Sequence, residues 1–415
     1  MDPITIRYAF RPRTRSLATG QVCDLFGLTD DEPLHTVADG VALDVRPGDL
    51  VLFTGPSGSG KSSLLRVAAA NLDAIDAHAL ALPEVPLIDA LAGPLEHRLD
   101  HVAACGLSEA RLLLRMPSEL SDGQRYRFRL ALALDQASRV ASAPGVTDEE
   151  LRALTRPGSP FLLADEFAAL LDRTLAKVLA FNLRKLVTRT GVGALLATTH
   201  EDLTDDLNPD LHVRCLGDGH VEVERRDVKK KSISFAHDLW LSEGTRSDWP
   251  YFARWHYRSH ALAFVKRIVL LWHGREPIGI CVFGAPAASL TLRSQFFGLK
   301  NPRSSAALTA LNAQLWVLSR VVLQPTYRGA GIAAAFVRRA CEACPVPWIE
   351  TLTAMGRANP FFERAGFRRV GVVRKSGQPG YGAYSRGGIC AATRAKSRFS
   401  EPVYYVFDNR SVADR

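Results

Sequence analysis

Asp49-Leu50-Val51-Leu52-Phe53-Thr54 runs without a break into Gly55-Pro56-Ser57-Gly58-Ser59-Gly60-Lys61-Ser62, and Ser63-Leu64-Leu65-Arg66-Val67-Ala68-Ala69-Ala70 follows. An apolar run, a glycine-rich turn and a helical pattern predict strand, loop and helix in that order. Glycines in such a loop let backbone N–H groups converge at the helix N-terminus, where they bind phosphate. Lys61 adds a point charge, and the Ser62 hydroxyl can ligate Mg2+. Gly55, Ser57, Gly58, Gly60, Lys61, Ser62 and Ser63 are therefore the expected ligands of a nucleotide. Just upstream, Val41–Val45 reads as a short strand ahead of the turn Arg46-Pro47-Gly48.

Three further elements follow. Leu120-Ser121-Asp122-Gly123-Gln124 opens an arginine-rich helix, Phe161-Leu162-Leu163-Ala164-Asp165-Glu166 is an apolar strand ending in two acids, and Leu195-Leu196-Ala197-Thr198-Thr199-His200 is another strand ending in histidine. In this order they make residues 4–225 resemble an ABC-type ATPase. The resemblance implies ATP and Mg2+ as cofactors. It makes Ser121, Gly123 and Gln124 the signature that covers ATP held by another subunit. Asp165 then joins Ser62 at the metal, Glu166 polarises the attacking water, His200 senses the γ-phosphate and Asp172 lies in the loop joining two sites. One signature and one phosphate loop per chain imply a homodimer closed around ATP. Two features depart from the pattern. No glutamine lies between Ser62 and Gly123, leaving Glu84 as the nearest polar candidate for the metal-sensing loop. The interval from Lys61 to Ser121 is also short, which implies a trimmed helical subdomain.

The charge changes sign along the chain. Residues 1–228 carry 24 Lys+Arg against 33 Asp+Glu, whereas residues 229–415 carry 28 against 10. The switch at Lys229-Lys230-Lys231 predicts two domains, 1–228 and 229–415, and a polyanion, nucleic acid, as partner of the second. In that half, Ile278–Phe283 and Trp316–Leu323 read as buried strands, and the second leads through Gln324-Pro325-Thr326-Tyr327 into Arg328-Gly329-Ala330-Gly331-Ile332-Ala333 and an apolar helix. With Asn359-Pro360-Phe361-Phe362-Glu363-Arg364-Ala365-Gly366-Phe367 further on, residues 235–410 resemble a GNAT-type N-acyltransferase. The fold class expected for the whole is α/β: an ABC-type P-loop NTPase domain followed by a GNAT-fold α+β domain. The resemblance makes Arg328, Gly329, Gly331 and Ala333 contacts of a pyrophosphate, and Val321 and Val322 backbone partners of the pantetheine arm, in acetyl-CoA or another acyl-CoA. No Asp or Glu lies on the strand Trp316–Leu323, and Phe361 or Phe362 stands where a tyrosine is common. Ser319, Arg320, Glu350 and the pair His256-Tyr257 remain as polar candidates, with His256, Tyr257 and Ser319 taken as catalytic.

Trp249-Pro250-Tyr251-Phe252-Ala253-Arg254-Trp255-His256-Tyr257-Arg258-Ser259-His260 interleaves aromatics with arginines, as base-stacking surfaces do, or as a helix whose rings fill core. His-Tyr here and Ser-Arg on the central strand resemble the phage Mom-type branch of the fold, which modifies adenine in DNA. The stretch Arg374–Arg398, rich in Gly, Arg and Lys, reads as a basic loop able to track a phosphate backbone, before a last strand Val403–Phe407. No apolar run reaches the roughly 18 residues that span a bilayer. Met1-Asp2-Pro3 opens without a secretory pattern and the 7 cysteines are scattered, so a cytoplasmic protein with no membrane partner is expected. Cys341-x-x-Cys344 lacks a second pair and is read as packing. The expected function is an ATPase coupled to an acyl-CoA-dependent N-acyltransferase acting on a nucleobase amine in DNA or tRNA. The alternatives are a protein or small-molecule N-acetyltransferase with a regulatory ATPase half, and a non-catalytic ATP-gated nucleic-acid clamp.

Overall fold

A computed structural model of the protein describes residues 2–8, 14–28, 34–141, 160–228, 232–256, 262, 264–299, 304–356, 359–373 and 401–410. Lys229-Lys230-Lys231, Tyr257 and the stretch Arg374–Arg398 lie outside the described residues. The chain divides into two compact units, Met1–Ser234 and Phe235–Arg415.

In the first unit, β1 (Ile4–Tyr8) and β2 (His35–Val41) form an antiparallel pair. The strand expected at Val41–Val45 is thus placed earlier, and Ala42–Val45 is irregular. A six-stranded sheet follows from β3 (Leu50–Thr54), β4 (Ile75–Asp76), β5 (Phe161–Ala164), β6 (Gly193–Ala197), β7 (Leu211–Gly217) and β8 (His220–Arg225), in the order β4-β5-β6-β3-β7-β8. All pairs are parallel except β7 with β8. Successive side chains of a strand face opposite ways, and a parallel sheet is covered on both faces. Leu50 and Leu52 accordingly join one core cluster with helices Asp122–Ala141 and Arg173–Thr190, while Val51 and Phe53 join another with helix Lys61–Ala70 and β1 and β2. Coverage on both sides is why β3, β5 and β6 read as unbroken apolar runs.

The second unit is a seven-stranded sheet of β9 (Leu239–Glu243), β10 (Val265–His273), β11 (Glu276–Gly284), β12 (Leu315–Leu323), β13 (Trp348–Thr353), β14 (Arg368–Val372) and β15 (Val403–Asp408), ordered β14-β15-β13-β12-β11-β10-β9. Among the described residues its one parallel pair is β12 with β13, connected through helix Ala333–Glu342. That pairing covers only Leu315–Val317 against Trp348–Glu350. From Leu318 onward β12 pairs only with β11 among the described residues, so its other edge opens. The β11–β12 ladder also slips by one residue. Val282 pairs with Arg320 and Phe283 with Leu318, which leaves Ser319 as the extra residue of a bulge.

Candidate functional site

Strand β3 is buried over its whole length and delivers the chain into the glycine loop. Gly55, Gly58 and Gly60 hold φ angles of 138°, 82° and 89°, which side chains of L-residues rarely allow. A Cβ at Gly55 would lie 2.0 Å from the Cys215 carbonyl oxygen, and one at Gly60 2.0 Å from Cγ1 of Val37. Gly58 faces open space, and Ser57 beside it is exposed. The loop is therefore pressed against β7 and β2 on one side and free on the other. Lys61 is buried and its Nζ donates to the Pro56 carbonyl at 2.6 Å. The buried Ser59 hydroxyl has no hydrogen-bond partner among the described residues. An orphaned donor inside a cradle that only glycine can line fits the phosphates of a nucleotide.

The acids meet this loop from β5. Asp165 Oδ1 accepts from the Ser62 hydroxyl at 2.9 Å and from the Glu166 amide at 3.0 Å. Its other oxygen faces Arg66 at 3.4 Å. Glu166 is exposed and holds a φ of 48°, and Ala168 one of 62°. Two non-glycine residues in the left-handed region mark a turn held by its surroundings. The Phe167 amide donates to the Ala197 carbonyl at 2.7 Å, and the Ala168 amide to the Tyr126 hydroxyl at 3.1 Å. Thr198 Oγ1 donates to the Phe167 carbonyl and accepts from the His200 amide at 3.2 Å, which joins His200 to the same turn. Desolvation first and the Arg173 charge second lower the His200 pKa, so its imidazole is neutral at pH 7.

Ser121 and Gln124 build a capping box: the Ser121 amide donates to Gln124 Oε1 at 3.1 Å, and the Gln124 amide to Ser121 Oγ at 3.4 Å. Ser121 and Asp122 are exposed, with Gly123 half-buried behind them, so this helix start is open to a ligand. Asp172 caps helix Arg173–Thr190 through the Leu175 amide at 2.9 Å. Glu84 accepts from the Ser118 hydroxyl at 2.9 Å and, among the described residues, makes no hydrogen bond or ion pair with Asp165. His78 occupies that neighbourhood instead, with Nε2 3.0 Å from the Asp165 carbonyl and its ring against Tyr126. Tyr8 bonds the Ser63 hydroxyl at 3.1 Å and leaves its ring half-exposed. No sequence signal singles out Tyr8, His78 or Tyr126, because each meets the site through tertiary contact alone.

In the second unit, Gly329 and Gly331 hold φ angles of 90° and 79° in the loop between β12 and helix Ala333–Glu342. Arg328 is turned inward, donating from Nε to the Leu323 carbonyl at 3.1 Å and from Nη2 to the Trp255 carbonyl at 3.4 Å. That second bond brings the aromatic segment to the glycine loop. His256 follows Trp255 and meets the Trp249 ring edge-on at 5.7 Å. Trp249 and Phe252 are buried with Ile280, Val282 and Val322, and Arg254 stacks over Tyr251 and Trp255. Most of the aromatic stretch is thus core. Val321 is half-buried and pairs with Cys281, and Val322 with Ile280, both on the strand whose far edge is open. The Ser319 hydroxyl donates to the Val282 carbonyl at 3.0 Å. Glu350 lies in a buried network, bidentate with Arg293 at 2.9 and 2.7 Å and accepting from the Tyr404 hydroxyl at 2.8 Å. That arginine is interior, 2% exposed. Phe361 and Phe362 stack on each other, with Phe362 buried. Cys341 and Cys344 are buried, and burial pushes the Cys344 thiol up to about 12.

No family model matches the chain. The lipoprotein-releasing system ATP-binding protein LolD of Hyphomonas neptunium is 30% identical, over 44% of this chain and 90% of that protein. The macrolide export ATP-binding/permease protein MacB of Bradyrhizobium diazoefficiens is 32% identical, over 34% of this chain and 26% of its own length. The Fe(3+) ions import ATP-binding protein FbpC of Streptomyces avermitilis is 36% identical, over 40% of this chain and 52% of its own length. The chain thus spans about half or less of the length of the last two relatives. Among the described residues, no helix is long and apolar enough to cross a membrane.

Proposed function

The chain belongs to the ABC-type ATP-binding proteins, and from that premise we propose that its first unit binds and hydrolyses ATP as half of a homodimeric sandwich. The observation that carries this is the hydrogen bond from Ser62 to Asp165 beside the orphaned Ser59 hydroxyl. Ser62 and Asp165 would hold Mg2+, and the loop amides with Lys61 the phosphates. Bound ATP supplies a phosphoryl group whose transfer to water depends on positioning and charge. Glu166, exposed on its left-handed turn, would polarise the water, and the neutral His200 would donate to the terminal phosphate. Ser121, Gly123 and Gln124 offer an open helix start to the nucleotide of a second chain. The ring of Tyr8 offers an apolar face to the base.

We further propose that the second unit is a GNAT-type N-acyltransferase acting on a nucleobase amine in DNA or tRNA, in a cytoplasmic protein. The parting of β12 from β13 after Val317 supports it, since a glycine loop then follows at the open end of β12. Acetyl-CoA or another acyl-CoA supplies an activated acyl group. Arg328, Gly329, Gly331 and Ala333 would hold its pyrophosphate and the open edge at Val321 and Val322 its arm. His256, beside the Trp249 ring, would take the amine proton, whereas Glu350 is committed to Arg293 and Ser319 to Val282. The excess of 28 basic over 10 acidic residues after position 228 supports a nucleic-acid acceptor. Mass spectrometry of tRNA and DNA nucleosides from cells with and without the gene tests this: one acylated nucleoside should vanish, and identical profiles would defeat it.

The same commitments of Glu350 and Ser319 favour a second reading, a non-catalytic clamp. Acyl-CoA turnover that survives Glu166→Gln and disappears in Arg328→Ala would exclude it.

A further inference from the structure

We propose that Arg320 is an anion receptor for the acceptor, taking a phosphate of the nucleic-acid strand whose base is presented for acylation. The proposal rests on the nucleobase-acylation reading above and adds to it a residue and a contact. Arg320 lies in the middle of β12, half-buried, where Nη1 donates to the carbonyl of its own neighbour Ser319 at 2.7 Å. Its Nε is buried and has no hydrogen-bond partner among the described residues. Among the described residues no acid offsets the burial that lowers its pKa. Four other arginines of the unit have a carboxylate or ring partner, although Arg267 Nε is itself buried without a hydrogen bond among the described residues. Arg293 is paired with Glu350, Arg267 with Glu243, Arg410 with Asp408, and Arg254 lies over two rings.

The bulge explains how a cation comes to stand in that place. The ladder slips at Ser319, whose hydroxyl ties the slip to the Val282 carbonyl, and Arg320 ends directly across from Val282. Bulges re-aim side chains beside functional sites. Val282 and Val322 share a cluster with Trp249 and Phe252, so Arg320 projects on the face that carries the aromatic segment. That segment leads to His256 and is tied through Trp255 to Arg328. A partly desolvated cation without a counter-charge weakens a fold, and it is kept where a ligand needs it. The guanidinium fork fits a phosphate with two parallel hydrogen bonds. The excess of basic residues in this half of the chain favours a phosphodiester over a lone carboxylate.

The test uses the full chain and a short fluorescent single-stranded oligodeoxynucleotide, with an RNA of the same sequence as a second probe. Anisotropy titrations at low and high salt compare the natural protein with Arg320→Gln and Arg320→Lys, and acetyl-CoA affinity and melting temperature are measured alongside. Arg320→Gln should bind the better probe about tenfold more weakly, with a salt slope shallower by about 0.7, the share of one phosphate on a single strand. Arg320→Lys should keep the slope. Acetyl-CoA affinity should be unchanged, and the melting temperature about unchanged, because the one bond lost, to the Ser319 carbonyl, is offset by removal of a partly desolvated charge. A natural protein that binds a probe, with a Gln variant equal in affinity and slope, overturns the role of Arg320 and leaves the acylation reading standing. Loss of acetyl-CoA affinity assigns the arginine to the cofactor, and a lower melting temperature assigns it to the fold; either overturns the proposal. Failure of the natural protein to bind either probe removes both.

Discussion

Gly60→Ala would place a side chain on a left-handed backbone that is pressed against Val37. At a φ of 89° an alanine stays in the left-handed region, which costs about 1–2 kcal/mol. Its Cβ would also lie 2.0 Å from Val37 Cγ1, an overpacking that costs about 1–3 kcal/mol. The variant should therefore lose roughly 2–5 kcal/mol of first-unit stability. Val37 is 8% exposed, and Val37→Ala alone should cost about 1–3 kcal/mol for two buried methyl groups. In the double variant the nearest remaining Val37 atom is Cβ, at 3.4 Å, an ordinary contact. The overpacking then vanishes, and the double variant should be about 1–3 kcal/mol more stable than the sum of the singles. The assay is urea unfolding, with the first-unit transition identified by its shift on adding MgATP. Gly58→Ala is the control: the same left-handed cost, open space around it, and no coupling to Val37. Additivity of Gly60→Ala and Val37→Ala within about 0.5 kcal/mol would refute the packing of β2 against the loop.

Glu166→Gln should retain MgATP affinity and lose about 10²–10³-fold in hydrolysis, the scale of one removed catalytic group; isothermal titration and phosphate release separate the two effects. His212 is buried with Nε2 2.9 Å from the Thr54 hydroxyl, and desolvation, then Arg214, lower its pKa below the ordinary 6.5. The unfolded chain takes up the proton first, so first-unit stability should fall as pH drops below about 6.5 and level off once the folded pKa is passed. Urea midpoints across that window, flattened in His212→Gln, check it. Glu350→Gln leaves Arg293 charged in the interior and should cost about 3–5 kcal/mol in thermal unfolding, whereas Arg293→Met with Glu350→Leu should recover most of the loss.

The first unit was legible where its chemistry is local. A loop whose glycines must adopt positive φ, and a Ser-x-x-Gln that caps its own helix, write their geometry into adjacent residues. Strands β3, β5 and β6 were legible because burial on both faces erases alternation. Contacts that cross the chain were not. His78 reaches the Asp165 carbonyl, Tyr126 the Ala168 amide and Tyr8 the Ser63 hydroxyl only after the sheet has formed. Glu350 reads as a polar candidate for the site because nothing nearby in sequence announces Arg293, 57 residues away. The bulge at Ser319 was equally hidden, since the run Trp316–Leu323 is continuous and the slip belongs to its pairing with β11.

Transfer of labelled acetyl from acetyl-CoA to nucleic acid by the purified protein with MgATP tests whether an ATPase and a nucleobase acyltransferase work together in this chain. Label should enter one nucleoside of DNA or tRNA, be lost in Arg328→Ala, and fall sharply in His256→Ala while acetyl-CoA still binds. Label on protein or on a free amine alone, or none with every nucleic acid tried while ATP is hydrolysed, would contradict the coupling of an ATPase to nucleobase acylation.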